Sequence, residues 1–420
     1  MRWTHPEHPG RRVRLAYCMN LHAARDLAGL LEGLRAVTLP LRERLCWSGS
    51  FGVGTYLPAD LAARLASPAG AAELATLRCF YLDEGLDPFT FNAFPAGGFQ
   101  RDGLKQRVFE PTWDAPARLE YTLDVARVAA DLARTCGLSE EGAHISISTH
   151  GGRFGPWPPD GAQRRAAAEA YTTCAHALRS IAAGGPPILL GLEAEPRSSA
   201  GDTRQLAAFL GSLRAPGLTD ILGVCLDTCH AAVEFEEAQD ALARAGAHGP
   251  LAKLQFSSAL ALRGPGARPE SRQLFLEMAE ERFLHQVTGR ARDDSLLRAT
   301  DLPQLAGLLS DVGDPEAAAW LACDEWRCHF HVPVDLENVG ELGTTRRGAD
   351  ELLCALLEAP EAWSTEELHL EIETYTWSVL PGEARGPGDL VDGLEREYEH
   401  VMAQLRAAGW HTSDDAPGAA

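Results

Sequence analysis

Four short apolar runs in this chain each end in carboxylates or imidazoles. Gly223-Val224-Cys225-Leu226 runs into Asp227-Thr228-Cys229-His230, and Ile188 to Leu192 into Glu193-Ala194-Glu195. Trp326-Arg327-Cys328 leads to His329-Phe330-His331, and Leu368-His369-Leu370 to Glu371-Ile372-Glu373. A short continuous apolar run suits a strand buried on both faces, and its end is where a parallel sheet presents polar groups. Glu193, Asp227, His331 and Glu373 would offer three carboxylates and one imidazole. That set suits a divalent cation such as Mn²⁺, Mg²⁺, Co²⁺ or Zn²⁺. Gathered without a cation, three carboxylates would be costly to bury. Each residue alone has a plainer reading: Asp227 can cap a helix, and a single core histidine is more common than a ligand. Four such endings together favour a shared site.

The two-residue period of a strand puts Glu193 with Glu195, His329 with His331, and Glu371 with Glu373 on common faces. If those faces point inward, the later member lies nearer the mouth of the site. That favours His331 and Glu373 as ligands and leaves Glu193 and Glu195 as alternatives.

The elements that must position these residues alternate. Strands are expected at Val13–Asn20, Phe51–Leu57, Pro88–Phe94, His144–Thr149, Ile188–Leu192 and Gly223–Asp227, with helical periodicity over 23–34, 71–82, 117–136, 163–182 and 203–213. Repeated strand–helix alternation of this kind predicts an α/β fold closed as a (β/α)₈ TIM barrel, whose chemistry sits at strand C-termini. Leu251–Ser258 and Cys328–Val334 both read as strands, which gives nine candidates for eight places. Placing His331 on the seventh strand and Glu373 on the eighth makes 264–321 an insertion. One domain over 1–410 is expected, followed by a disordered tail at 411–420. No GxGxxG or GxxxxGK[ST] follows the first strand, which argues against a dinucleotide or P-loop site.

The totals bound the partners. With 59 acidic against 38 basic residues the formal net charge is −21, so nucleic acid is not expected as a partner. The ten cysteines include no Cys-x-x-Cys pair, and most sit in apolar segments as small buried hydrophobes. No run approaches about 18 consecutive apolar residues, so direct membrane insertion is not expected. A cytoplasmic location fits.

The Glu strand, Asp-x-x-His strand, His-x-His strand and terminal Glu strand resemble the xylose isomerase-like barrels, which include ketose 3-epimerases and an apurinic endonuclease. That resemblance implies metal ligation by Glu193, Asp227, His331 and Glu373, selecting Glu193 over Glu195, with Glu193 and Glu373 also moving protons. Glu195-Pro196-Arg197 stands where the epimerases carry an Asn, a departure that bears on substrate contacts. A wider likeness covers nearly the whole chain. Tyr17-Cys18-Met19-Asn20-Leu21-His22, Lys253 to Ser258, Arg282 to Gln286, Trp326 to Pro333 and Glu373 to Trp377 look like the EboE family, called metabolite traffic proteins. Gene clusters of that family are linked to exporting natural-product precursors.

The resemblance implies proton transfer next to a carbonyl in a sugar- or cyclitol-like small molecule. His230 would hydrogen-bond a substrate hydroxyl. Asn20, Asn92, His150, Glu195, Gln255, His329, Tyr375 and Trp377 are further candidates for the substrate pocket. The alternative is a non-catalytic binding protein that carries such an intermediate to membrane-bound proteins of the same pathway. Phosphodiester hydrolysis, as in the endonuclease, is weakened by the charge.

Overall fold

The computed structural model describes residues 1–412 except 23, 46, 48, 101–102, 214–217, 312 and 383–387. Eight strands pair in parallel and close on themselves: Arg12–Cys18, Phe51–Tyr56, Leu86–Asn92, Ile145–His150, Ile188–Glu193, Leu222–Asp227, Leu251–Phe256 and Glu367–Ile372. This is the expected (β/α)₈ barrel. Helices such as Pro116–Thr135, Ala162–Ile181, Thr203–Ser212 and Arg346–Glu358 pack around it. Every barrel strand is buried along its whole length, because helices cover the outer face and side chains fill the inside. The first helix starts at Leu27, later than its periodicity suggests, because the Asp26 side chain caps it by accepting from Gly29 N. Of the expected tail, His411 bridges Thr4, and 413–420 lie outside the described residues.

The seventh barrel strand is Leu251–Phe256, and the strand carrying His331 lies outside the barrel, contrary to the expected order. Glu325–Val332 is antiparallel to both of its neighbours, Ser258–Arg263 and Val287–Arg290. It forms the centre of a second, six-stranded sheet completed by Leu296–Ala299, Leu342–Thr344 and Asn338–Val339. This sheet has its own core of Leu260, Leu262, Phe275, Trp320, Trp326 and Phe330. A central strand covered on both faces is as apolar as a barrel strand, so hydrophobic pattern alone does not separate the two. The excursion from the barrel runs from Ser258 to Thr344, beyond 264–321 at both ends. A bulge between Cys328 and His331 shifts the register of the central strand, and such bulges re-aim side chains.

Inside the barrel, beneath its mouth, Lys253 is fully buried against Glu371, with Nζ 2.5 Å from Oε2. Lys253 also donates to Asn92 Oδ1 at 2.7 Å, and Asn92 Nδ2 donates to Glu371 Oε1 at 2.8 Å. Gly54 makes room for this carboxylate, since a Cβ there would lie 1.7 Å from Glu371 Oε1. Removing one member of a buried ion pair strands the other, at a cost of about 3–5 kcal/mol. Lys253→Met should therefore lower unfolding free energy by roughly that amount, and Lys253→Met/Glu371→Met should recover much of it. Denaturant titration of both variants checks this; equal losses in the two would contradict it.

Candidate functional site

Glu193 closes the fifth strand, Asp227 closes the sixth, and Glu373 follows the eighth by one residue. All three are buried, and their carboxylates converge within 4.8 Å of one another. His331 joins an adjoining group with Asp227 and His230 that meets the same limit. The structure thus gathers all four expected ligands at the barrel mouth, with His331 descending from the inserted sheet.

Asp227 does two jobs. Its Oδ1 accepts from His230 N at 2.9 Å, capping the helix Thr228–Val233, and from Ser257 Oγ at 3.2 Å. The plain reading as a helix cap and the reading as a site carboxylate therefore coexist. His230 directs Nδ1 at Ala194 O, 3.0 Å away, and at Glu193 Oε1, 3.1 Å away. His329 places Nδ1 2.7 Å from Gln286 Oε1. Glu195 lies beside both rings, 3.7 Å from His230 Nε2 and 3.5 Å from His329 Nδ1. Tyr375 brings its hydroxyl to 3.2 Å from His329 Nε2. Asn20 donates to Glu373 Oε1 at 2.5 Å, while its buried Oδ1 has no partner.

The space between these groups is about 40 Å³, room for an ion or a water. Gln255 and Asn92 form part of its floor, yet their amides are already engaged. Gln255 accepts from Cys225 Sγ at 2.7 Å, and Asn92 Oδ1 accepts from Lys253 and Ser148. Phe94, Phe99, Phe109 and Phe283 cover the top, and Phe99 and Phe283 pack on Tyr375 with ring centroids 4.5 and 4.8 Å away. A sugar-sized molecule enters only if this aromatic cover shifts.

Two expected pocket residues sit elsewhere. His150 is held among Phe94 and Phe109, and its Nδ1 accepts from Gly152 N at 3.2 Å. Trp377 donates its indole N–H to Glu397 Oε2 at 3.1 Å and presses its ring on Gly393. Neither lines the cavity. His150 is the last residue of the fourth strand, and Trp377 lies in the short 3-10 turn Tyr375–Ser378 beyond the eighth. Conversely, Phe283 and Gln286 were marked only as part of the Arg282–Gln286 run that carries the family resemblance, and Phe99 was not singled out, because nothing local marks a loop that folds over a distant mouth.

The electrostatics follow from burial and crowding. Burial raises the Glu193 carboxyl against the pull of His230. Burial, with Glu193 and Asp227 nearby, raises Glu195 to about 8. Burial and then Glu193, Asp227 and Glu371 push Glu373 well above the usual carboxylate range. For Asp227 burial is outweighed by His230, His331 and the helix N–H, and its carboxyl falls. Burial lowers His331 to about 4, with Asp227 opposing. The pocket holds more buried acid than its own cations balance, since Lys253 is committed to Glu371. Carboxylates and imidazoles in this arrangement fit a divalent metal ion. A third candidate group, His144, Glu367 and His369, lies at the opposite end of the barrel. There Arg12 Nε and Arg14 Nε contact Glu367 at 2.6 and 3.0 Å, so its charge is already balanced.

No family model matches the chain, and no curated protein matches it. Solved structures that resemble it include an L-ribulose 3-epimerase, 13% identical over 94% of this chain and 95% of that one, with a TM-score of 0.45. Another is a xylose isomerase-like TIM barrel protein from Mycobacterium smegmatis in complex with magnesium, 12% identical over 94% and 97%, with a TM-score of 0.48. A third is the probable 3-DHS dehydratase AsbF from Bacillus anthracis, 12% identical over 93% and 99%, with a TM-score of 0.42. The barrel assignment rests on the chain's own strand pairing.

Glu397 anchors the loop after the eighth strand. It accepts from Thr374 Oγ1 at 2.5 Å, Trp377 Nε1 at 3.1 Å and Val334 N at 3.2 Å. Burial raises its carboxyl to about 8. A carboxyl raised in the folded state stabilises it fully below the unfolded value near 4.3 and loses that contribution as pH climbs through about 8. Between pH 5 and 8 the wild type should therefore lose more stability than Glu397→Gln, by roughly 1–4 kcal/mol. Unfolding curves across that range check it; parallel pH profiles would contradict it.

Proposed function

We propose that this chain is a metal-dependent isomerase or epimerase that transfers a proton on a sugar- or cyclitol-like molecule. The observation that carries this reading is the convergence of Glu193, Asp227 and Glu373 at the barrel mouth beside His331. Glu193, Asp227, His331 and Glu373 would hold the ion. A divalent cation there supplies positive charge against the negative charge that develops on a substrate oxygen as a neighbouring C–H loses its proton.

The protein groups perform the remaining steps. Glu193 and Glu373 have raised carboxyl affinities for protons, which suits groups that take and return a proton near neutral pH. They come from the fifth strand and from just past the eighth, and both face the same cavity. Asn20 steadies Glu373 through Nδ2 and keeps Oδ1 for a substrate hydroxyl. His230 orients Glu193 through Nδ1 and stands within reach of a hydroxyl. Phe99, Phe283 and Tyr375 exclude water once the substrate is in place. In the setting of the EboE-like resemblance, the product would be an intermediate passed on for export. Among the described residues no helix is long and apolar enough to cross a membrane.

Two measurements test this. Elemental analysis should find bound divalent metal in the wild type and a large loss in Asp227→Asn. Wild-type protein in D₂O should then exchange a carbon-bound hydrogen in some member of a panel of ketoses and cyclitol ketones. Glu193→Gln should slow that exchange by about 10²–10⁴-fold while remaining folded. Metal retention without exchange in any panel member would support binding without turnover, and full exchange in Glu193→Gln would remove its role as a base.

A further inference from the structure

One guanidinium is buried in this barrel with no acid beside it. Arg118, on the helix Pro116–Thr135, is fully enclosed. Its Nε donates to Pro111 O at 2.7 Å and its Nη1 to Ala93 O at 2.9 Å. Nη2 is buried without a hydrogen-bond partner. Burial lowers the Arg118 pKa to about 10, against Tyr121, Tyr171, Tyr56 and Glu110, which leaves it charged at neutral pH. Glu110 is exposed, and among the described residues Arg118 makes no ion pair with it. The tyrosines already give their hydroxyl protons to carbonyls, Tyr56 to Pro95, Tyr121 to Leu57 and Tyr171 to His150.

His150 stands in the same state. Its Nδ1 accepts from Gly152 N at 3.2 Å, so the neutral ring carries its hydrogen on Nε2. Burial, and then the charge on Arg118, push its pKa well below the usual histidine value. Nε2 is buried, and no acceptor meets it in hydrogen-bond geometry, although the carbonyls of Pro111 and Phe109 are near. Two buried donors, one of them cationic, therefore lack an acceptor. Buried polar groups are nearly always paired, and exceptions point to an unseen partner. A water would supply an acceptor but no charge. A carboxylate or phosphate supplies both, and a guanidinium is the side chain best matched to either.

We infer that Arg118 and His150 form an oxyanion-binding site for the carboxylate or phosphate group of an acidic ligand. Phe94 and Phe109 pack on His150 with ring centroids 5.1 and 5.4 Å away, and both also line the cavity at the mouth. The rings that cover the mouth thus also cover this site, and an anion enters when they move. Among the described residues no Lys or Arg lines the mouth cavity itself. An acidic substrate that displaces Phe94 and Phe109 would find its cation in Arg118. That last step rests on the proposed function, whereas anion binding does not.

The test titrates the full chain with sodium acetate and, separately, with inorganic phosphate at constant ionic strength, and follows binding by calorimetry. The wild type should take up one equivalent of at least one of them in a saturable way. Arg118→Met and His150→Phe should each weaken that binding about 10-fold or more. His150→Phe carries the comparison if Arg118→Met fails to fold. Tighter binding of acetate would assign the site to a carboxylate, and tighter binding of phosphate to a phosphate group. No saturable binding of either anion, or binding unchanged in the folded variants, would overturn the site and leave a buried water as the partner. Elemental analysis of the same samples keeps the two readings apart. Metal without anion binding sinks this inference alone, and anion binding without metal sinks the proposed function alone.

Discussion

A buried charge needs a partner, and that constraint organises the inside of this barrel. Acids are buried at its floor, at its middle and at its mouth. At the floor Glu367 is held by Arg12 and Arg14, and Arg14 also reaches Asp87 at 2.7 Å. One layer up, Glu371 is matched by Lys253. At the mouth Glu193, Glu195, Asp227 and Glu373 make no ion pair with Lys or Arg among the described residues; His230 and His329 stand beside Glu193 and Glu195. Isolated buried carboxylates would cost several kcal/mol each. The protein meets that cost with side-chain cations in two layers, and in the third the proposed cation would meet it.

The inserted sheet is part of the cavity because it brings His329 and His331 to it. Barrel strands supply the carboxylates, and none of the eight supplies His329 or His331. These come from Glu325–Val332, just past or at its bulge. The same excursion contributes Gln286, which fixes His329, and Phe283, which covers the cavity. The insertion also grips the loop after the third strand: Lys105 Nζ donates to Glu280 O at 2.7 Å, and Gly103 N to Glu281 O at 3.1 Å. His329, the Gln286 that holds it and the covering Phe283 therefore belong to one excursion of the chain.

The barrel was legible in the sequence because its strands are short apolar runs separated by strongly periodic helices. The carboxylates were legible because they stand at the ends of those runs, where parallel strands present polar groups. The seventh strand was not legible. Leu251–Phe256 and Glu325–Val332 are both buried on two faces, and only long-range pairing tells a barrel strand from the centre of a second sheet. Lys253 stands in an apolar run at a position that alternates inward with Gln255, a hint of an internal ion pair whose partner pattern alone does not give. His150 and Trp377 failed as pocket residues for a different reason. His150 closes its strand yet is held by Phe94, Phe109 and Gly152 N. Trp377 lies in a 3-10 turn that brings it to Glu397 and Gly393. A strand pattern gives neither set of contacts.

The crowding at the mouth bears on how such a site would work. Four acids and three imidazoles around a cavity of about 40 Å³ leave little room for water, so electrostatic interactions there act in a low dielectric and are strong. The same crowding separates the acids by role. Asp227 is lowered by the histidines and the helix N–H, which favours its anionic form. Glu373 is raised by the neighbouring acids, which keeps a proton within its reach. Two carboxyls on the same rim with affinities pushed in opposite directions are what acid–base chemistry beside a metal requires. The separation needs no special residue types. It follows from one carboxylate capping a helix and facing imidazoles while the other faces carboxylates.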